Sequence, residues 1–200
     1  MNEPPLSDMF LKNTKNYLNL LVSGFTVDII KNIEFLALDI RKAWINKNHV
    51  FICGNGGSAG NAIHLANDFI YGIGVSKSGD SKVGLNVEAL SANPAVLTCL
   101  ANDTGYENIF SKQLITKAIP GDLLIVLSGS GNSPNIIKAL EIAKELGIKS
   151  YAIIAFDGGK SKLIADVPIH FSINDMQIAE DTQLIIGHLC MQWLCNNKPD

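Results

Sequence analysis

Two stretches rich in glycine and serine, Gly54-Asn55-Gly56-Gly57-Ser58 and Ser128-Gly129-Ser130-Gly131-Asn132-Ser133, each follow a run of apolar residues and precede a helical pattern. A turn of this kind at the start of a helix offers free backbone N–H groups and the positive end of the helix dipole to an anion. In the second stretch the glycines let the main chain approach closely, and the Ser130 and Ser133 hydroxyls can donate. A phosphate can be wrapped there without a basic side chain. A tight strand-to-helix connection with a capping serine accounts for any one of these residues, but not for the whole stretch.

The first turn, read as Gly54-x-Gly56-x-x-Ala59, also fits the loose dinucleotide-binding pattern. That chemistry needs a carboxylate about 20 residues further on, at the end of the next strand, to grip a ribose. At that distance stands the polar stretch Gly72 to Lys82, with Asp80 in a loop, so the dinucleotide reading is set aside. The same stretch reads as an exposed connector or a lid.

Titratable groups gather on two helices. His64 and Asp68 lie one turn apart and point away from a stripe of Ala59, Ala62, Ile63, Ala66, Phe69 and Ile70. An i, i+4 pair of this type can ligate one metal, share a substrate, or form a plain surface ion pair. The last helix is apolar around most of its circumference yet carries Gln177, Glu180, Asp181, His188 and Gln192. Acidic groups rarely stay buried without a partner, so this polar sector is either a water-facing strip or the wall of a site.

The elements that must position these groups alternate. Two helices span Leu6 to Asn46, with Leu18, Leu21, Ile29, Ile30, Ile33, Leu36 and Ala37 at helical spacing and Asp28 and Asp39 on a solvated face. Strands are expected at His49 to Cys53, Gly84 to Leu90, Leu123 to Leu127, Tyr151 to Phe156 and Val167 to Phe171. Helices follow each turn, one from Pro94 interrupted at Asn102-Asp103-Thr104-Gly105, one over Pro134 to Leu146, and a last one over Met176 to Cys195. Alternation of this kind means an α/β fold, a doubly wound parallel sheet flanked by helices. One domain is expected over 1–200, an N-terminal helical segment at 1–47 and an α/β core at 48–197.

Bulk properties exclude several classes. With 47% hydrophobic and 18% charged residues the chain is not a disordered polymer, and a net charge of −3 offers nucleic acid no basic footprint. No apolar run approaches the roughly 20 residues that cross a bilayer, and the first residues lack the basic and apolar parts of a signal peptide, so no membrane partner and a cytoplasmic location are expected. Cys53, Cys99, Cys190 and Cys195 have no C-x-x-C spacing and read as small buried hydrophobes.

Taken in order, Gly54-Asn55-Gly56-Gly57-Ser58 with His64 on the next helix, Asn102-Asp103, Ser128-Gly129-Ser130-Gly131-Asn132-Ser133, Asp157-Gly158-Gly159 and His188 on the last helix resemble the phosphoheptose isomerase family, over nearly the whole chain. The resemblance implies a SIS domain, a homotetramer, and interconversion of sedoheptulose 7-phosphate and D-glycero-D-manno-heptose 7-phosphate for bacterial lipopolysaccharide or capsule heptose. It implies that Asn55, Gly56 and Gly57 contact the sugar, that Asn102 and Asp103 line the site, and that Ser128, Gly129, Ser130 and Ser133 hold phosphate. His64 and His188 match two metal ligands of the family. The family's catalytic glutamate is matched by Asp68, and its glutamine on the last helix by Glu180. A non-catalytic SIS regulator that resembles the replication initiator's associating protein is the alternative.

On that basis Asp68 is the base and His188 the acid of an aldose–ketose isomerisation through an enediol, with Glu180 the alternate base. His64, Asp68, Glu180 and His188 together form a zinc-type ligand set, one zinc per chain by resemblance. Because His64 and Asp68 face away from their own core and the N-terminal helices carry surplus apolar surface, a neighbouring chain is expected to cover both, with His188 arriving from the same or an adjacent chain.

Overall fold

The structure, a computed structural model, describes residues 5–75 and 82–199. Apolar runs too continuous for a half-exposed sheet become five parallel strands: β1 (Val50–Gly54), β2 (Val87–Ala89), β3 (Leu123–Ser128), β4 (Lys149–Ile154) and β5 (Val167–His170). Their spatial order is β2-β1-β3-β4-β5. Such runs suit a sheet covered on both faces.

The strand period of two sorts the side chains into two cores. Val50, Ile52, Leu123, Ile125, Leu127, Tyr151 and Ile153 point to one side, where they meet α2 (Val27–Asn46), α3 (Gly57–Asn67) and α8 (Met176–Asn196). Phe51, Cys53, Leu124, Val126, Ala152 and Ile154 point to the other, against α5 (Ser111–Lys117) and α6 (Pro134–Glu145). Full burial of each large side chain contributes about 1.5–3 kcal/mol. The expected doubly wound sheet is therefore present. The remaining helices are α1 (Leu6–Ser23), α4 (Pro94–Thr104) and α7 (Ser161–Ile164).

Several local expectations need correction. α1 has no fully buried residue: Tyr17 and Leu21 pack partly buried against the core, while Leu18 is exposed. Ile63 and Ile70 are exposed as well. The buried stripe of α3 is Ser58, Ala62, Leu65 and Ala66, and Phe69 and Ile73 continue it at helical spacing through a π-helical turn at Asp68–Gly72, while Ile63 and Ile70 stand roughly 80–100° round from Ala62. The interruption expected at Asn102-Asp103-Thr104-Gly105 falls at its last residue: α4 runs through Thr104 and stops at Gly105, and α5 follows from Ser111. Asp39 is not a free solvated group: its Oδ2 accepts from Tyr151 Oη at 2.7 Å and Lys149 Nζ at 2.6 Å. Cys53 and Cys190 are buried as expected, but Cys99 is exposed and its thiol donates to Asp103. Most of the Gly72–Lys82 connector, 76–81, lies outside the described residues. Among the described residues no helix is long and apolar enough to cross a membrane.

The strand order puts the site where it is. From β1 the chain crosses to β2 on one side, and β3 lies on the other, so the order reverses between β1 and β3. Ligands of open α/β sheets bind at such a switch point, beyond the carboxyl ends of the strands. Both Gly/Ser turns leave the sheet there, one from β1 and one from β3.

Candidate active site

The second turn is built to leave its hydroxyl protons free. Ser128 Oγ accepts from the Gly131 N–H at 3.1 Å, and Ser130 Oγ accepts from the Asn132 N–H at 3.3 Å. Ser133 is the N-cap of α6 and makes no capping hydrogen bond with its side chain. Each hydroxyl thus keeps an O–H to donate. The Asp157-Gly158-Gly159 turn braces this loop: Ser161 N and Oγ both donate to Gly131 O, and Lys160 N donates to Asn132 Oδ1.

Between the two turns lies a cavity of about 300 Å³ lined by Asn55, Gly56, Gly57, Ser58, Leu127, Ser128, Gly129, Ser130, Ser133, Met176 and Glu180. Among the described residues no lysine, arginine or histidine is in that wall. Its anion-holding capacity is the serine hydroxyls, the turn backbone and the N-terminus of α6, while Glu180 brings the one formal charge. The Glu180 carboxylate lies directly over Gly57, in space a Cβ there would take, so a side chain at 57 would push that carboxylate aside.

A second centre lies further along the same helices. α3 and α8 run side by side, tied by Asn61 Nδ2, which donates to Glu180 O at 2.9 Å and Gln183 Oε1 at 3.0 Å. They approach so closely that a Cβ on Gly187 would fall 2.1 Å from Leu65 Cδ2. That closeness brings His64 and His188 together, with Nε2 atoms 3.0 Å apart and rings at 80°. Asp68 Oδ2 lies 3.5 Å from each of those nitrogens. The shorter aspartate still reaches both rings.

Two imidazole nitrogens and a carboxylate oxygen converge here, and they can share a proton, one Nε2–H donating to the other Nε2, or a metal. The donor set is one zinc accepts, and the separations compare with the edge of about 3.4 Å in a tetrahedron with bonds of 2.0–2.1 Å. His64, Asp68 and His188 can therefore hold a metal ion. Glu180 does not join them: its carboxylate lies over Gly57 in the cavity wall, about 12 Å from His188 along α8 by helix rise. The three groups also belong to one chain, so His188 does not have to come from a neighbour.

Other expected residues scatter. Asn55, Gly56, Gly57, Ser128, Gly129, Ser130 and Ser133 all border the cavity. Asn102 and Asp103 do not: they are exposed at the end of α4, Asn102 Nδ2 donating to Asp103 Oδ1. Gln177, Asp181 and Gln192 are exposed on α8, where Asp181 Oδ2 accepts from Tyr17 Oη of α1 at 2.5 Å. Burial under α8 and then this bond push the Tyr17 phenol up to about 12. Residues without a sequence signal also matter. Met176 lines the cavity, Asn61 joins α3 to α8, and Asn135 and Tyr106 hold Asn55. Only Asn135 carried a hint, a polar residue just inside a helix whose inner face is otherwise apolar.

Comparison with known proteins places the chain in a family. Residues 15–155 match the SIS domain family model. The chain is 36% identical to the phosphoheptose isomerase of Aneurinibacillus thermoaerophilus over 81% of its own length and 79% of that protein. It is 38% identical to the phosphoheptose isomerase of Trichlorobacter lovleyi over 71% and 70% of the two chains. In three dimensions it is similar to the phosphoheptose isomerase of Francisella tularensis, with a TM-score of 0.85 at 22% identity covering 98% of this chain and 100% of the other.

Proposed function

The chain belongs to the SIS domain family and to its phosphoheptose isomerases, and from that premise we propose that it interconverts sedoheptulose 7-phosphate and D-glycero-D-manno-heptose 7-phosphate. The observation that carries this reading is one arrangement. Two parallel helices wall a serine-lined anion cavity at one end and bring two imidazoles and a carboxylate together about 9–12 Å further along, by helix rise from Ser58 to His64 and from Glu180 to His188. That is about the reach of an extended seven-carbon sugar from its phosphate to its carbonyl end.

Aldose–ketose exchange moves one proton between C1 and C2 and serves two oxygens. Asp68, half-buried between the imidazoles, takes the carbon-bound proton as base. His188 exchanges a proton with the substrate oxygen, and His64 shares the charge that results. Glu180 is the alternate base, and its place over Gly57 puts it nearer the phosphate end. The serine turn fixes that end, which orients the carbons against Asp68. Alternatively His64, Asp68 and His188 would hold a zinc ion, which would then polarise the substrate carbonyl in place of proton exchange at the imidazole Nε2 atoms.

The assembly is a homo-oligomer, a tetramer, in this reading: α1 leaves Leu6, Phe10 and Val22 exposed, and the rings of His64 and His188 remain about half open. The protein works in the cytoplasm and supplies heptose for lipopolysaccharide or capsule. A regulator without catalysis has no use for Asp68 between two imidazoles, so that alternative is not favoured. The deciding experiment incubates purified protein with a panel of ketose phosphates and follows aldose formation. Conversion of the seven-carbon substrate is expected, and failure to convert any of the panel refutes the proposal.

A further inference from the structure

Asn55 and Asn135 face each other across the two turns with reciprocal hydrogen bonds, Asn55 Nδ2 to Asn135 Oδ1 at 2.9 Å and Asn135 Nδ2 to Asn55 Oδ1 at 2.8 Å. By themselves two amides can be turned either way round, since oxygen and nitrogen exchange places. One backbone group removes the freedom. The Ile136 N–H, shared with Ser133 O, points at Asn135 Oδ1 at 3.0 Å, and a backbone N–H only donates. Asn135 must therefore present oxygen there. Its nitrogen then faces Asn55 Oδ1, and the Asn55 nitrogen faces Asn135 Oδ1. The Tyr106 hydroxyl, 3.0 Å from Asn55 Oδ1, has to donate to it.

The consequence reaches the cavity. Both lone pairs of Asn55 Oδ1 are occupied, by Asn135 and by Tyr106, while among the described residues the second N–H of Asn55 meets no acceptor. Asn135 is completely buried, so its amide has no water to turn toward. We propose that Asn135 and Tyr106 are positioning residues that make Asn55 a donor only, so that the cavity recognises an acceptor oxygen on the sugar portion of a bound sugar phosphate. The serine turn stands across the cavity and takes the phosphate end, which leaves Asn55, on the first turn, to the sugar. This rests on the reading of the site as a sugar-phosphate site and adds to it which partner atom the first turn selects.

Two variants test it. Asn135→Asp keeps shape and the acceptor for Ile136 N–H, but its carboxylate cannot donate to Asn55 Oδ1. Tyr106→Phe removes the second donor at an exposed position, where folding is not at stake. With one hydrogen bond's net worth at stake in each, KM for sedoheptulose 7-phosphate should rise about 10-fold in Asn135→Asp and about 3-fold in Tyr106→Phe. Turnover should stay within about twofold, and in Tyr106→Phe, which adds no charge, the inhibition constant of inorganic phosphate should not move, because the lost contact is to the sugar alike in ground and transition states. Equal weakening of substrate and phosphate in Tyr106→Phe would show a brace for the whole cavity and overturn the proposal, as would unchanged KM in that variant. A wild-type protein that binds the sugar phosphate by calorimetry without converting it refutes the isomerase reading alone. The same split is then read from dissociation constants. Binding of neither ligand overturns both.

Discussion

Replacing Glu180 by glutamine isolates the least expected feature of the cavity, a carboxylate in a wall proposed to take phosphate and lined, among the described residues, by no basic side chain. A cavity of about 300 Å³ is about 8 Å across, so a phosphate on the serine turn lies roughly 6–7 Å from that carboxylate; at that distance a dianion meets a repulsion of about 1.3 kcal/mol even at the dielectric of water. Salt reduces it. With a screening length of about 8 Å at 0.15 M ionic strength, a little under half of it survives. Glu180→Gln keeps the size and removes the charge, so inorganic phosphate should bind about 3-fold tighter at 0.15 M salt and approach about 9-fold at low salt.

Calorimetric titration of phosphate into both proteins at two ionic strengths measures this directly. An affinity that is unchanged or weaker in Glu180→Gln at both salt concentrations refutes the electrostatic reasoning, and a gain that ignores salt refutes its Coulombic origin. Turnover of the same variant separates the two carboxylates. If Asp68 is the base, kcat falls far less in Glu180→Gln than in Asp68→Asn; the reverse order makes Glu180 the base.

Asp68→Asn and His188→Gln should each lower turnover by about 10² or more with the melting temperature kept within a few degrees, and near wild-type rates in both would remove the acid–base assignment. Elemental analysis of protein purified without chelator should find about one zinc per chain, lost in His64→Ala and retained in Glu180→Gln, since Glu180 stands outside the converging group; absence of metal from the wild type, with activity indifferent to chelators, would refute a metal site. Co-expressed Asp68→Ala and His188→Ala chains should give verified mixed oligomers with no recovered activity, because the two side chains meet within one chain; recovery would mean that the working site pairs them across subunits.

The sheet was legible because burial on both faces writes itself into sequence as runs such as Leu123 to Leu127, and the two Gly/Ser turns because glycine and serine cluster where strands end. Periodicity misled at the margin of a stripe: Ile63 and Ile70 are apolar but stand roughly 80–100° round from Ala62 and, unlike Ala66, Phe69 and Ile73, are exposed. Among the described residues of α1 only Tyr17 and Leu21 pack against this chain's core, because an apolar stripe states that something covers the helix, not that the same chain does.

The acid–base centre shows where sequence reasoning stops. His64, Asp68 and His188 were readable as chemical types, yet their meeting depends on the spacing of α3 and α8, and that spacing is set by residues with no chemistry. Gly187 lacks the Cβ that would strike Leu65, so the helices close to a distance at which imidazoles from each can touch. Asn61 then fixes the register by binding Glu180 O and Gln183 Oε1, which puts His188 opposite His64 instead of a turn above or below it. A register slip of one helical turn would move His188 by about 5.4 Å and leave the carboxylate with one imidazole in place of two. Glu180 shares the helix but not the centre, for the same reason: eight residues of rise place it at the phosphate end, where its charge opposes the ligand and its carboxylate can serve the chemistry only if the substrate bends back toward Gly57.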